Sequence, residues 1–398
     1  MNFVFTFLVT CSLPLGTLLQ EEGSNLDFVK AVSNNKYPIE IHEVETEDGY
    51  ILTVFRIPQG KNSNKISRNV VLLNHGMFGS SENYILLGPK KSLGYVLADN
   101  GYDVWIMNSR GTWHSKKHRT LSPKQKEFWQ FSWHEIGVYD IPAVIDHILN
   151  ITNETRINYI GHSQGCTSAF VMGSERPEYN DKIKLMIALS PAAFYKHMKH
   201  DMLKMASNYG KQLEDLANSL GIYELPPPFM SAAQLREIIR LLCIESSVLQ
   251  NTCNTLFFLI GESNPSLQDK NSIKQILPLI VASVSIKQVF HYSQQISSGN
   301  FQQYDFGQEK NLEKYGSKYP PLYNIKNITF PVVIFYSSGD RLVSEEDTLL
   351  LASQLPNLVG AFQVPAGFSH VDFIIANNLD KIILRPVLKL LKRYNLHQ

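Results

Sequence analysis

Short apolar or β-branched runs, each closed by turn residues, recur along this chain at Ile51–Arg56, Val70–Asn74, Asp103–Asn108, Ile157–Ile160, Lys184–Leu189, Val332–Tyr336 and Gly360–Val364. Helical stretches separate most of them. This alternation constrains the fold more than any other feature, because it describes a mostly parallel sheet covered by helices on both faces. Between the third and fourth runs, WHEIGVYDIPAVIDHILNIT sets Ile136, Ile141, Val144, Ile145 and Ile148 on one face of a crossover helix. Such a sheet carries its functional groups at the carboxyl ends of its strands. From about Pro191 to Pro320 the alternation stops, and the chain reads as helices broken at Pro226-Pro227-Pro228 and at Pro265, an insertion.

The 398 residues suffice for one large α/β domain with such an insertion. With 37 basic against 36 acidic side chains the formal net charge is +1, and no Lys/Arg run tracks a phosphate backbone, so nucleic acid is not an expected partner. No Cys-x-x-Cys pair and no glycine-rich phosphate loop before a helix is present, and neither a metal nor a cofactor is expected.

Asn2–Leu19, NFVFTFLVTCSLPLGTLL, carries no charge, has a small residue, Gly16, near its end and is followed at once by Glu21 and Glu22. Residues 1–20 read as a removed signal peptide. The alternative, a retained signal-anchor, would have to span a bilayer with Pro14 inside it and without a basic flank. Removal takes Cys11 away and leaves Cys166, Cys243 and Cys253 in an oxidising compartment, where the last two are close enough in sequence to close a small loop. Cys166 is the odd one out and reads as buried and inert. Sequons at Asn150, Asn153 and Asn327 fit passage through a secretory route.

The stretch INYIGHSQGC runs an apolar strand into Gly161-His162-Ser163-Gln164-Gly165, and a helical-looking CTSAFVMGSE follows. A serine hydroxyl is a poor nucleophile until a base takes its proton, and a strained strand-to-helix turn lifts its oxygen clear of the sheet; flanking glycines permit that turn. Ser163 is therefore the candidate nucleophile. On this architecture an acid and then a histidine follow in chain order. Of the histidines after Ser163, His197, His200 and His291 fall in the insertion and His397 in a terminal tail, which leaves His370 in VPAGFSHVDF. PVVIFYSSGDRLVSEED makes Asp340 the first carboxylate past a strand end, whereas Glu345, Glu346 and Asp347 read as the acidic first turn of the next helix. An oxyanion needs two main-chain N–H donors, one after the nucleophile and one from the loop in VVLLNHGMFGSS; these are Gln164 and Met77. His75 reads as a brace for that loop and His162 as packing beneath the turn.

With these residues in place the chain resembles the acid lipases, the family that includes gastric and lysosomal acid lipase. The resemblance runs through YPIEIHEVETEDGYIL, NHGMFGSSENY, NSRGTWHS, FWQFSWHEIGVYDIPAVID, GHSQG, VFHYSQQISSGNFQQYDFG, YPPLYNI, SSGDRLV and FSHVDF, in that order. It implies an α/β-hydrolase core at 21–190 and 321–398 and a helical cap and lid at 191–320, over an apolar acyl-binding cleft. It implies hydrolysis of neutral-lipid esters, most of all triacylglycerols, with Ser163, Asp340 and His370 as the triad and Met77 and Gln164 as oxyanion donors. It also matches Cys243 and Cys253 to the family's cap disulfide. Steryl esters and short-chain esters are alternative substrates, and a lipid carrier without turnover is the reading from a different class. The cap residues Leu235, Ile238, Ile239 and Leu242 give an apolar helical face with two readings, contact with a lipid–water interface when the lid opens or packing on the core, and no obligate protein partner is expected. The expected location is outside the cell, with the lysosome as the alternative.

Overall fold

The computed structural model describes residues 22–63, 69–227, 264–267, 282–365 and 367–396. Residues 1–20, Cys243 and Cys253, and the apolar face Leu235, Ile238, Ile239 and Leu242 lie outside the described residues.

Eight strands form the main path of one sheet: β1 (Glu40–Glu45), β2 (Tyr50–Ile57), β3 (Val70–Asn74), β4 (Asp103–Met107), β5 (Ile157–His162), β6 (Ile183–Leu189), β7 (Val332–Tyr336) and β8 (Leu358–Gln363). Their order is β1-β2-β4-β3-β5-β6-β7-β8, and the two-residue strand Lys117–His118 adds to β2. The pairs β1–β2 and β2–β4 are antiparallel, and every later pair is parallel. Each run read as a strand from sequence is one, with ends moved by a residue or two. β1 was not read: EIHEVE is an edge strand with only Val44 buried, so its charges hide the strand signal while protecting the edge.

Strand residues alternate between two apolar layers, with Leu72 and Trp105 on one face and Val71, Leu73, Val104 and Ile106 on the other. The first layer is completed by the helices Ile141–Thr152 and Gln164–Glu175, and the second by Glu22–Asn34, Leu93–Asp99 and Arg385–Leu396. The crossover residues Ile136, Ile141, Val144, Ile145 and Ile148 are all buried. Ile136 and Ile141 stand five apart, which a regular α-helix would rotate out of line. A π-helical turn over Ile136–Asp140 absorbs the extra residue and keeps both on the core face.

β6 and β7 are neighbours, with Ala188 opposite Ile334, so residues 190–331 form an excursion between adjacent strands. The described part of it contains helices Asp201–Ser207, Gly210–Ser219, Ile286–Ser298 and Gln308–Tyr315 and a short antiparallel pair, Glu224–Leu225 with Val284–Ser285. Helix Ile286–Ser298 joins it to the core. The His291 ring stacks on Trp133 at 3.7 Å, and its nitrogens contact the Ser132 hydroxyl at 3.0 Å and the Gln302 carbonyl at 3.0 Å. No helix among the described residues is long and apolar enough to cross a membrane.

Candidate active site

Ser163 sits between the end of β5 and the first turn of helix Gln164–Glu175 at φ 51°, ψ −116°, a conformation that ordinary residues avoid. Its N–H donates to the Leu189 carbonyl on β6 at 3.1 Å, which ties the strained residue to the sheet. The flanking glycines are demanded by close approach. A Cβ on Gly165 would lie 2.3 Å from the Asn74 carbonyl oxygen, and one on Gly161 would lie 2.9 Å from the Cys166 nitrogen.

The other two residues expected from chain order come to the same sheet end. His370, between β8 and the short helix Asp372–Ile375, places Nε2 2.8 Å from Ser163 Oγ and Nδ1 2.8 Å from Asp340 Oδ2. With Nδ1–H donating to the carboxylate, Nε2 is the acceptor that faces the serine hydroxyl. The other oxygen of Asp340 accepts the N–H groups of Leu342 at 3.0 Å and Val343 at 2.8 Å. Burial pushes the Asp340 carboxyl up, but the facing His370 and the bonds from His370, Ser190 and Val343 outweigh it and hold the group below its ordinary value. It stays an anion able to steady a charged imidazole.

Ser190 is the contributor that sequence reasoning missed. It follows β6, has φ 47°, donates its hydroxyl to Asp340 Oδ2 and lies 2.9 Å from His370 Nδ1. The signal was present, since Ser190 is the residue just past a strand's carboxyl end, where this architecture collects function.

The main-chain N–H groups of Met77 and Gln164 donate to no acceptor among the described residues. The Met77 side chain is half-buried against the core. Its turn is closed by Gly79 N–H donating to the Gly76 carbonyl at 3.0 Å and by Ala282, from the excursion, donating to the Phe78 carbonyl at 2.6 Å. His75 braces this turn: Nδ1–H meets the Gly76 carbonyl at 2.8 Å while Nε2 accepts the Ser109 N–H at 3.2 Å. His162 holds the main chain of the facing histidine, with Nε2 3.0 Å from the His370 carbonyl. Burial pushes His75 down to about 4, and burial together with the neighbouring His370 pushes His162 down to about 3, so both rings are neutral supports. The Gln164 side chain donates to Gln288 Oε1 on helix Ile286–Ser298 at 2.8 Å.

The remaining candidates are dispersed. Asn150 and Asn153 are exposed at the end of helix Ile141–Thr152; Asn327 is exposed, with its amide nitrogen 3.2 Å from the Ser174 carbonyl. Cys166 is buried in the core, where burial raises its thiol pKa far above the ordinary range. Of the histidines set aside, His197 contacts Asp347 and His291 lies at the Trp133 joint. Among the described residues no group of three His, Cys, Asp or Glu side chains could hold a metal ion.

A serine on a strained turn, bonded to a histidine and through it to an aspartate at the carboxyl end of a mostly parallel sheet, defines an α/β-hydrolase. Family models agree: residues 28–88 match the partial alpha/beta-hydrolase lipase region and residues 69–230 the alpha/beta hydrolase fold. The chain is 38% identical to Lipase 1 of Drosophila melanogaster over 378 residues, 93% of this chain and 81% of that one. It is 35% identical to the human lysosomal acid lipase/cholesteryl ester hydrolase over 408 residues, 99% of this chain and 100% of that one. With the gastric triacylglycerol lipase of Bos taurus it shares 34% over 381 residues, 95% and 94% of the two chains. The chain belongs to the acid lipase family, lipases of the α/β-hydrolase fold that cleave carboxylic esters.

Proposed function

We propose that the protein is a secreted lipase that hydrolyses neutral-lipid esters, triacylglycerols first among them, through an acyl-enzyme on Ser163. The observation that carries this reading is the continuous line from Ser163 through His370 to Asp340, with 2.8 Å at each contact. His370, oriented by Asp340, takes the Ser163 proton as Oγ bonds to the ester carbonyl carbon. The displaced electron pair moves onto the carbonyl oxygen, which the Met77 and Gln164 N–H groups hold. The C–O bond to the alcohol then breaks as His370 returns the proton to it. Water, deprotonated by His370, attacks the acyl carbon, and the fatty acid leaves as Ser163 regains its proton.

The bovine relative is named for triacylglycerol and the human one also for cholesteryl ester, which supports steryl esters as the second reading. A carrier that had lost turnover would have no use for three residues held in one hydrogen-bonded line. We assign residues 21–190 and 321–398 to the core and 191–320 to the cap, a division supported by the direct pairing of β6 with β7. An apolar stripe on the cap, Met202, Met205, Tyr209, Leu213, Leu216 and Leu220, is exposed and supports peripheral contact with a lipid surface. Secretion rests on residues 1–20 as a signal peptide, with glycans on the exposed Asn150, Asn153 and Asn327 and a disulfide between Cys243 and Cys253; the lysosome is the alternative destination.

The test is fatty-acid release by the protein and its Ser163→Ala variant from emulsified long-chain triacylglycerol, cholesteryl ester and a soluble short-chain ester, at acid to neutral pH. Serine-dependent release, greatest on triacylglycerol, is expected. Release that survives Ser163→Ala, or none at all from a folded sample that binds lipid, would overturn the reading.

A further inference from the structure

The stretches NHGMFGSSENY and NSRGTWHS carry much of the sequence signal, yet the mechanism uses only the Met77 N–H from them. The structure joins the two. His75 accepts from Ser109 N–H at 3.2 Å, Ser81 N–H donates to Asn108 Oδ1 at 2.9 Å, and Glu82 Oε1 meets His114 Nε2 at 2.7 Å. The first of these contacts precedes the Gly76–Gly79 turn and the other two follow it, so the turn that presents Met77 is tied at both ends to the segment 108–115.

That segment is itself rigidly held. Arg110 is fully buried, with Nε 2.6 Å from Asp140 Oδ1 and both terminal nitrogens on Asp48. Thr53 Oγ1 donates to the His114 carbonyl at 2.6 Å, and Ser115 Oγ to the Asn108 carbonyl at 2.8 Å. The His114 ring is buried edge-on to Phe55 at 5.2 Å.

Glu82 is the knot. One oxygen takes the Ser80 hydroxyl at 2.6 Å and the Ser81 hydroxyl at 3.2 Å, both from the exit of the turn, and the other takes His114 from the segment 108–115. Burial pushes its carboxyl up, but His114 and the Ser80 hydroxyl outweigh that and bring it to about 2, so it is an anion at neutral pH. A buried anion with one facing imidazole is costly unless its geometry is kept, which makes this contact stiffer than a neutral hydrogen bond.

We propose that Glu82 and His114 are positioning residues of the ester hydrolysis: their pair fixes the Gly76–Gly79 turn so that the Met77 N–H points at the developing oxyanion. The inference rests on Met77 as an oxyanion donor. It is tested with Glu82→Leu, His114→Leu and the double variant on a soluble short-chain ester. Competent sites are counted with a nitrophenyl alkylphosphonate, which phosphonylates Ser163 and releases one nitrophenolate per site. The expected result is a kcat per titrated site lower by about tenfold or more in each variant, with KM within about twofold, because one oxyanion donor is typically worth ~10²–10³-fold and here it is displaced, not removed. The double variant is expected to be no worse than either single one, since both break the same tie. Glu82→Gln, which keeps the shape and loses the charge, is expected to recover part of the loss; if the leucine variants yield no titratable enzyme, a kcat per site at least about threefold below native in Glu82→Gln supports the proposal. A native kcat per site in Glu82→Leu, or in Glu82→Gln where that variant decides, overturns it, even if thermal stability falls. Ser163→Ala in the same series separates the two claims: activity there overturns the serine mechanism, whereas loss there beside a native Glu82→Leu overturns only this inference.

Discussion

The carboxyl end of the sheet and helices Asp201–Ser207 and Gly210–Ser219 of the proposed cap follow opposite rules. At the sheet end Ser163, Ser190, Asp340 and His370 are bonded to one another, and two neutral histidines brace the surrounding main chain. On the cap, Met205, Tyr209 and Leu220 are each more than 60% exposed and recur at helical spacing with Met202, Leu213 and Leu216. Chemistry needs groups held to a fraction of an ångström, so it is built where backbone from four strands converges. The lipid contact proposed for these helices would need accessible apolar area more than fixed geometry, and a helix surface can supply it.

Asp340→Asn should break the first region most cleanly. The shape survives while the carboxylate that orients His370 is lost, and kcat is expected to fall by about 10⁴-fold on soluble and emulsified esters alike. An effect confined to emulsions would place Asp340 outside the chemistry.

Gly165→Ala probes the same region through packing. Its Cβ would meet the Asn74 carbonyl at 2.3 Å, so the elbow must move away from β3. A displacement near 1 Å is expected to cost roughly 10²-fold in kcat per titrated site. Native turnover would mean that the turn tolerates more movement than its contacts imply.

The cap is broken differently. Leu213→Glu with Leu216→Glu should lower the rate on emulsified triacylglycerol by about tenfold and leave a soluble short-chain ester within about twofold, because only apolar area available to a lipid surface is lost. Equal losses on both substrates would show that the stripe serves packing.

The smallest effect concerns the joint between the regions. Burial pushes His291 down to about 3, so it is neutral in the fold over the whole range in which an unfolded histidine, near 6.5, takes up a proton. Its folded value is lower than its unfolded one, and the unfolded chain binds more protons between those limits; stability therefore falls as the pH falls from about 6.5 toward 3. Urea unfolding at pH 7 and pH 5 should show His291→Gln losing less stability on acidification than the native protein, by up to about 2 kcal/mol. An identical pH dependence in both would remove His291 from the acid response.

The strands were legible because burial on both faces forces continuous apolar runs, and the elbow because its turn admits only glycine beside Ser163. Chain order, the bounds of the insertion and the end of a strand then pointed to Asp340 and His370, and the fold brings both to Ser163, since this topology dictates which loops face that turn. β1 escaped because an edge strand has little to bury. Ser190, the tie between Glu82 and His114, and the bond from Gln164 to Gln288 escaped for another reason. Each joins residues far apart in sequence through one or two polar contacts, which leave no periodicity and no spacing to read. What the sequence determined alone was the alternation, the strained turn and the chain order of Ser163, Asp340 and His370, all of them local or topological. Which side chains hold those groups still was decided only when the sheet brought the ends of β3, β4, β6 and β7 together, because a hydrogen bond is specified by distance and angle and not by position along the chain.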